Sequence, residues 1–251
     1  MRVLLTNDDG IYAHGLRALY AALLEAGHEV DVVAPMNQQS GVGHSLTVFV
    51  PLRVQQVQEK GFSGTALFGT PTDCVKLALS QLLPRRPDVV MSGINAGANV
   101  GPDILYSGTV GAATEAAHEG LPSLAFSHDS FTPADLMPVA RHAVRLAERI
   151  VWGNVPPRRV INVNYPACPL AECKGTRVCP LTSAVWVNDY AERRDLHNAP
   201  YWWLAGEIPP KSVNANSDKD LLNRGYITIS PLKFEFTDTE TMQALAAMSL
   251  E

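Results

Sequence analysis

The sequence has little charge and no excess of basic residues. Asp, Glu, Lys and Arg make up 18% of its 251 residues, against about 25% in an average soluble domain. Its 20 Lys and Arg are outnumbered by 25 Asp and Glu, for a formal net charge of −5. A protein that coats nucleic acid needs a basic face to displace phosphate counterions. The charge balance therefore excludes a nucleic-acid polymer as partner, and it is compatible with one small anion at a local site.

Long apolar runs and paired cysteines are also missing. No stretch approaches the ~20 apolar residues that cross a bilayer, and the N-terminus turns acidic at Asp8, too early for a secretory signal peptide. The four cysteines form no CxxC pair. Cys168, Cys173 and Cys179 cluster without a histidine at zinc-finger spacing, which disfavours a zinc site. We therefore expect a soluble, cytoplasmic protein with reduced thiols and no membrane contact.

What the sequence does contain is a regular alternation of strand and helix patterns. Apolar residues make up 46% of the chain, enough for a large core. Short apolar runs predict strands, and apolar residues three and four apart predict helices. Strands are expected at 2–6, 29–34, 87–92, 122–127 and 159–164, and helices at 15–26, 71–83, 108–119 and 134–151. This order predicts an α/β fold with a doubly wound, Rossmann-like and mostly parallel sheet.

Two regions depart from this rhythm. Residues 44–68 hold strand-like segments on both sides of a proline, which predicts an inserted hairpin. Beyond residue 165 the regular spacing of apolar residues that indicates helices ends. A strand at 225–232 and a terminal helix at 239–249 are expected there. We interpret residues 1–165 as a core that carries the chemistry and residues 166–251 as a smaller extension that serves oligomerisation.

An acidic pair, Asp8 and Asp9, follows the first strand directly. Two adjacent carboxylates at a buried strand end repel each other and are costly to desolvate, and a divalent cation removes both costs. A simple turn capped by an Asx side chain is the plainer interpretation, but it needs only one acid. The pair therefore favours a metal site.

Two further loops are expected at the same edge, because ligands of a doubly wound sheet bind outside the carboxyl ends of its strands. The loop after the second strand offers the Ser40 hydroxyl to a hard cation and His44 as a proton donor. A lone histidine in a loop is more often a surface group. The loop after the 87–92 strand offers the Asn95 amide oxygen to a metal and the Asn99 amide to a phosphate.

A fourth loop runs into a helix at Ser107, Gly108 and Thr109. Free backbone N–H groups and two hydroxyls at a helix N-terminus form an anion site, and Ser107 can cap the helix at the same time. A metal site and a phosphate site at one sheet edge together predict metal-assisted hydrolysis of a phosphate ester.

Other α/β classes fit this edge less well. A receiver domain needs an acceptor Asp after its third strand, a dinucleotide oxidoreductase needs GxGxxG after the first, and a haloacid dehalogenase-like phosphatase needs Asp-x-Asp. The segments NDDG and MSGIN supply none of these. A sugar-nucleotide glycosyltransferase would need a second nucleotide-binding domain. A nucleotide- or phosphate-binding protein without catalysis stays open as the alternative to an enzyme.

Four segments resemble the SurE family (survival protein E). They are LLTNDDGIYAHGLRALYAAL, APMNQQSGVGHSLT, GTPTDCVKLAL and PDVVMSGINAGANVGPDILYSGTVGAATEAA. The resemblance is continuous over residues 1–128 and recurs in NVNYP and RGYITISPL. It implies a metal-dependent 5′-nucleotidase, a phosphoric monoester hydrolase that acts on nucleoside 5′- and 3′-monophosphates, with short polyphosphate as a further substrate of some members.

Carried over residue by residue, the resemblance implies one divalent cation per subunit, Mn²⁺ or Mg²⁺. The implied metal ligands are Asp8, Asp9, Ser40 and Asn95. The implied phosphate ligands are Asn99, Ser107, Gly108 and Thr109. Either acid is a candidate base toward the attacking water, and His44 or a metal-bound water is a candidate acid for the leaving oxygen. The family also implies a homodimer or homotetramer. Residues 166–200 and 214–218 depart from its pattern, which leaves base preference and oligomeric contacts open.

Overall fold

The computed structural model of the protein describes residues 1–132, 135–187 and 189–248. Its strands are β1 (Arg2–Thr6), β2 (Glu29–Pro35), β3 (Val54–Glu59), β4 (Phe62–Leu67), β5 (Val89–Ala96), β6 (Ser123–His128), β7 (Arg159–Tyr165), β8 (Thr176–Val178), β9 (Tyr190–Arg194), β10 (Pro200–Leu204) and β11 (Ile227–Lys233). Its α-helices are α1 (His14–Glu25), α2 (Pro71–Leu77), α3 (Gly108–His118), α4 (Met137–Arg149), α5 (Asp218–Asn223) and α6 (Thr239–Ala246). Within these residues no helix is both long and apolar enough to cross a bilayer.

The main sheet has nine strands in the order β3-β4-β2-β1-β5-β6-β7-β11-β8. The five central strands from β2 to β7 pair in parallel. Alternate residues of a strand face opposite sides of a sheet, and β1 follows this rule, since Val3 and Leu5 join one apolar cluster and Leu4 another. Helices α1 and α4 cover the first side, and α2 and α3 cover the second. The predicted doubly wound, mostly parallel α/β fold is confirmed.

Helix α3 is buried along almost its whole length. Every residue from Gly108 to Ala117 is buried. The helix packs against the sheet on one side and α2 on the other, because most of its residues are Gly, Ala or Thr and are small. Its N-terminus lies at the carboxyl end of β1, where Gly108 is in contact with Asp8.

The predicted hairpin is present, but its strands lie later in the chain than the sequence suggested. The expected strand at 48–50 does not form, and the turn is not at Pro51. β3 and β4 pair as an antiparallel hairpin around Gly61, whose φ of 81° suits glycine. β4 pairs in parallel with β2. The hairpin thus extends the main sheet at its edge.

The predicted helix 71–83 is α-helical only in its first part. α2 continues as a π-helical segment from Ala78 to Leu82.

The C-terminal part of the chain adds strands to the same sheet. β11 runs antiparallel beside β7, and β8 runs parallel beside β11. β9 and β10 form a separate two-stranded sheet. The predicted helices 134–151 and 239–249 correspond to α4 and α6, and their positions 134 and 249 lie outside the described residues. The division of the chain at residue 165 remains a prediction.

Candidate active site

Backbone hydrogen bonds hold the predicted loops together at the carboxyl edge of the sheet. The N–H of Gln39, in the loop after β2, donates to the Asp8 carbonyl over 2.7 Å. The N–H of Ala96, at the end of β5, donates to Asp9 Oδ2 over 3.0 Å. A third bond joins the loop after β2 to the segment just before α3. The residues adjoining Ser40 and Asn95 are therefore bonded directly to the acidic pair.

Asp8 lies beneath the N-terminus of α3 and is 4% exposed. The Thr109 hydroxyl donates a hydrogen bond to Asp8 Oδ1. Gly108 permits this approach, because a Cβ there would lie 2.8 Å from the Cβ of Asp8. Burial raises the pKa of Asp8 to about 6, against the Thr109 hydrogen bond and with the help of the Asp9 charge. A cation would stabilise the ionised form of such a carboxylate.

The other three predicted metal ligands present oxygens at the same loops. Burial raises the pKa of Asp9, against a hydrogen bond from the backbone. Asn95 donates through Nδ2 to the Gly97 carbonyl over 2.8 Å, an arrangement that leaves Oδ1 free to accept. The Ser40 hydroxyl oxygen accepts from Gln38 Nε2 over 2.9 Å, which orients it.

This donor set suits a hard divalent cation. Two carboxylates, a hydroxyl and an amide oxygen form an all-oxygen set, which Mg²⁺ and Mn²⁺ accept more readily than Zn²⁺ does. Across the described parts of the chain, no group of three or more His, Cys, Asp and Glu side chains is placed to hold a metal ion. A cation on the acidic pair would therefore rely on neutral oxygens such as those of Ser40 and Asn95.

The expected phosphate ligands at the start of α3 divide into two kinds. Ser107 caps the helix by accepting from the Val110 N–H over 3.1 Å, and its own hydroxyl proton stays available. The N–H of Gly108 belongs to the first turn, which has no acceptor inside the helix. The Thr109 hydroxyl proton is engaged with Asp8, and phosphate binding by Thr109 stays a prediction.

Asn99 is held by two asparagines that sequence reasoning did not select. Its N–H donates to Asn164 Oδ1 over 2.8 Å, and its carbonyl accepts from Asn162 Nδ2 and Asn164 Nδ2 over 2.9 and 3.0 Å. Its side chain donates to Ser127 Oγ over 2.8 Å, which leaves a second amide N–H for a ligand. The segment NVN (residues 162–164) could have indicated these two residues, because it places two amide side chains on one side of a buried strand. Buried amides need hydrogen-bond partners.

Asp218 is a further residue that the sequence did not single out. Its fully buried carboxylate accepts from the Gly101 N–H over 2.8 Å and from the Thr182 N–H over 2.7 Å. Burial raises the pKa of Asp218, and its backbone hydrogen bonds oppose this. One side chain from the C-terminal region thus ties down the loop that follows Asn99.

The structure places His44 against helices α2 and α3. His44 Nε2 lies 2.9 Å from Glu115 Oε2, and Lys76 Nζ lies 2.6 Å from Glu115 Oε1. The hydrogen bond from His44, with the charge of Lys76, lowers the pKa of Glu115 to about 2. The histidine is therefore engaged with a buried carboxylate, and no described contact links it to the acidic pair.

We expect Glu115→Gln to lower the free energy of unfolding by about 2 kcal/mol at pH 7, with screening at the half-exposed Lys76 taken into account. Because the pKa is lower in the folded state, the stabilisation is present above about pH 4.5 and is lost as the pH falls toward 2. Urea unfolding at pH 7 and pH 3 checks this. The exposed Glu119→Gln is the control, and an equal effect of Glu115→Gln at both pH values contradicts the prediction.

All four cysteines are free thiols. Cys74 and Cys179 are buried, and the Sγ atoms of Cys168 and Cys173 lie 3.8 Å apart. Cys179 contacts Ser230 instead of this pair. The disfavoured zinc site would need all three clustered cysteines, and the structure separates one of them from the other two.

Several known proteins are similar to this chain over nearly its whole length. Residues 3–188 match the family model described as survival protein SurE. The 5′-nucleotidase SurE of Desulfovibrio desulfuricans is 70% identical over 100% of both chains. The 5′-nucleotidase SurE of Nitratidesulfovibrio vulgaris strain DP4 is 58% identical over 99% of both. The crystal structure of the SurE protein from Aquifex aeolicus superposes with a TM-score of 0.84 at 34% identity, over 98% of both chains.

Proposed function

Because the chain belongs to the SurE family, we propose that the edge around Asp8 and Asp9 hydrolyses nucleoside monophosphates to nucleoside and phosphate. The relatives that match it from end to end are named 5′-nucleotidases. The chain is accordingly a 5′-nucleotidase, a phosphoric monoester hydrolase.

The main support for the proposal is that Asp8 contacts both the proposed cation site and the proposed phosphate site. Its carboxylate is buried next to Asp9 and is also bonded to Thr109 in the first turn of α3. Groups that would hold a cation and groups that would hold an anion are therefore adjacent. A bound divalent cation would neutralise charge on the phosphoryl group and lower the pKa of a water.

The proposed site contains cation ligands and phosphate ligands. Asp8, Asp9, Ser40 and Asn95 hold one divalent cation, for which Mn²⁺ and Mg²⁺ are the proposed identities. The Ser107 hydroxyl, the Gly108 N–H and the Asn99 amide bind phosphate oxygens as preorganised donors. Thr109 orients Asp8, and its share in phosphate binding rests on the family resemblance.

Proton transfer is assigned to Asp9 and to water. Asp8 accepts from Thr109, whereas Asp9 Oδ2 accepts only from the backbone at Ala96 among the described residues. Asp9 is therefore the better placed base toward the attacking water. His44 is engaged with Glu115, so we assign it a supporting role on α3. Protonation of the leaving ribose oxygen is assigned to water.

The proposal extends to assembly and location. β10 exposes Trp202 and Trp203, and exposed apolar surface of this kind is typical of protein interfaces. This supports a homodimer or homotetramer. The four free thiols are in keeping with a cytoplasmic location.

The test is phosphate release from AMP, its 3′ isomer and tripolyphosphate, with the protein freed of metal and then titrated with Mn²⁺ or Mg²⁺. We expect release that depends on metal and saturates at one ion per subunit. Nucleotide binding without release would favour the alternative, a binding protein. Release that persists in a strong chelator would remove the metal from the proposal.

A further inference from the structure

The loop after β2 that carries Ser40 has almost no core of its own. Residues 37–50, all of which the structure describes, form neither helix nor strand, and only Gly43 among them is buried. Phe49 is fully exposed. Apolar residues on either side of the loop pack against the core. Burial of apolar side chains therefore fixes the two ends of this loop, and its path near Ser40 depends on hydrogen bonds.

Thr70, just before α2, holds the second half of this loop. Its hydroxyl donates a hydrogen bond to the Ser45 carbonyl over 2.8 Å. Two positions further along, the Thr47 N–H donates to Asp73 Oδ1 over 3.0 Å. His44 adds its contact with α3 beside these bonds. The bonds to Thr70 and Asp73 reach the backbone of the loop, so they hold its path independently of the side chains that it carries.

Thr70 and Asp73 also hold each other. The Asp73 N–H donates to Thr70 Oγ1 over 3.1 Å, and Asp73 Oδ2 accepts from the Thr70 N–H over 2.9 Å. This reciprocal arrangement is a capping box at the start of a helix, and Asp73 within it is 3% exposed. The cap requires neither bond to the loop that carries Ser40. Each side chain therefore makes one bond for the helix and a second for the loop.

Ser40 lies between two further anchors of the loop. The Gln39 N–H donates to the Asp8 carbonyl over 2.7 Å, and the Gly43 N–H donates to the Tyr106 carbonyl over 2.9 Å. The bonds to the capping box follow within four residues of Gly43. A shift of the loop at the capping box is therefore transmitted to Ser40 through a short segment of chain.

We propose that Thr70, held by Asp73, is a positioning residue for the proposed metal site and acts through the loop on Ser40. The inference rests on the proposed function, since it takes Ser40 to be a ligand of the cation. A loop that is ordered before the ion binds loses less conformational entropy on binding. Groups that orient metal ligands change metal affinity when they are mutated. Thr70 therefore adds to metal affinity through the backbone of the loop and without contacting the ion.

The first test removes the hydroxyl and keeps the shape of the side chain. We expect Thr70→Val to raise the dissociation constant for Mn²⁺ roughly three- to tenfold, the scale of one net hydrogen bond, and Thr70→Ser to stay within about twofold of the wild type. Titration of the metal-free protein, followed by the electron paramagnetic resonance of free Mn²⁺, measures this. Thr65→Val is the matched control, because the Thr65 hydroxyl accepts from Gln56 Nε2 on the β3–β4 hairpin over 3.0 Å.

The second test separates positioning from a general effect of the lost helix cap. If Thr70 acts through Ser40, adding Thr70→Val to Ser40→Ala should weaken Mn²⁺ binding by less than about twofold beyond Ser40→Ala alone. A general loss of structure would weaken binding by the same factor in both backgrounds, because the effects of independent changes add. Saturating Mn²⁺ should also return the kcat of Thr70→Val for AMP to within about twofold of the wild type.

The third test needs neither metal nor catalysis and follows the loop itself. Hydrogen exchange of the metal-free protein is read on peptides from residues 41–50. We expect exchange there to be roughly threefold faster or more in Thr70→Val than in the wild type, because local opening exposes the Gly43 and Thr47 N–H groups. Thr70→Ser and Thr65→Val should exchange like the wild type.

The outcomes separate this inference from the proposed function. Mn²⁺ binding or loop exchange that Thr70→Val leaves unchanged, or an equal loss of affinity in the Ser40→Ala background, would overturn the positioning role while metal-dependent hydrolysis stands. Unchanged Mn²⁺ binding by Ser40→Ala would overturn it too. A wild-type protein without phosphatase activity defeats the proposed function, and loop exchange in the metal-free protein would still report whether Thr70 holds the loop.

Discussion

Replacing Asp8 with asparagine is expected to reduce kcat/KM for AMP by roughly 1,000-fold or more, equivalent to ~4 kcal/mol of transition-state stabilisation. The change removes a buried charge that the proposed cation needs, while the amide oxygen can still accept from Thr109. Steady-state phosphate release with saturating Mn²⁺ measures it. Asp9→Asn should lose activity on a similar scale, because it removes both a ligand and the assigned base.

The same variant is expected to stabilise the metal-free protein. Asp8 has a pKa of about 6 in the folded state, above its ordinary 3.8. A carboxyl whose folded pKa is raised costs stability progressively as the pH rises from about 4 to above 6. Asp8→Asn should therefore raise the free energy of unfolding in chelator by about 2 kcal/mol at pH 7.5 and by little at pH 4.

Stabilisation by Mn²⁺ provides a control for the predicted effects of Asp8→Asn on activity and on metal-free stability. It should stabilise the wild type by about 2–3 kcal/mol at 100 times its dissociation constant and stabilise Asp8→Asn much less. Asp31→Asn, at a partly exposed ion pair with Arg2, should keep wild-type activity and metal response. Near wild-type turnover by Asp8→Asn or Asp9→Asn, still abolished by a chelator, would remove that residue from the essential set.

Asp218→Ala is expected to lower the free energy of unfolding by about 4 kcal/mol or more. It leaves the N–H groups of Gly101, Thr182 and Lys219 without the carboxylate that they contact over 2.7–2.8 Å, and each buried unsatisfied group costs ~1–3 kcal/mol. Equilibrium unfolding in urea measures the loss. A variant that does not fold is the extreme form of the same result.

The milder Asp218→Asn tests the effect on the site in a folded protein. It keeps one acceptor oxygen but places an amide NH₂ group near a backbone donor, so the loop at Gly101 should loosen and kcat/KM for AMP should fall. Asp220→Asn is the matched control, since Asp220 makes an exposed pair with Arg224 over 3.2 Å and such pairs contribute about 0.5 kcal/mol. Equal losses for the two variants would show that Asp218 does not hold the loop.

Much of the fold and of the proposed site was predictable because the signals are local. Short apolar runs mark the strands β1, β2, β6 and β7, which are five to seven residues long, and their order along the chain is enough to predict a parallel sheet. The NDDG segment could be linked to a cation because two adjacent acids after a buried strand repel each other unless a positive charge lies between them. The hairpin was misplaced since Pro51 is a turn signal of the same kind as Gly61, and only sheet pairing decides between them.

The sequence by itself determined the class of the protein, and it predicted the edge of the sheet and the oxygen-rich donors of the proposed site. The tertiary structure decided which partners those residues meet. Thr109 binds Asp8 from 101 residues away, His44 pairs with Glu115 across 71, and Asp218 holds Gly101 across 117. Periodicity reports only which face of its own element a residue occupies. Pairings at these separations follow from how α3 and α5 pack, and they leave no local sequence pattern.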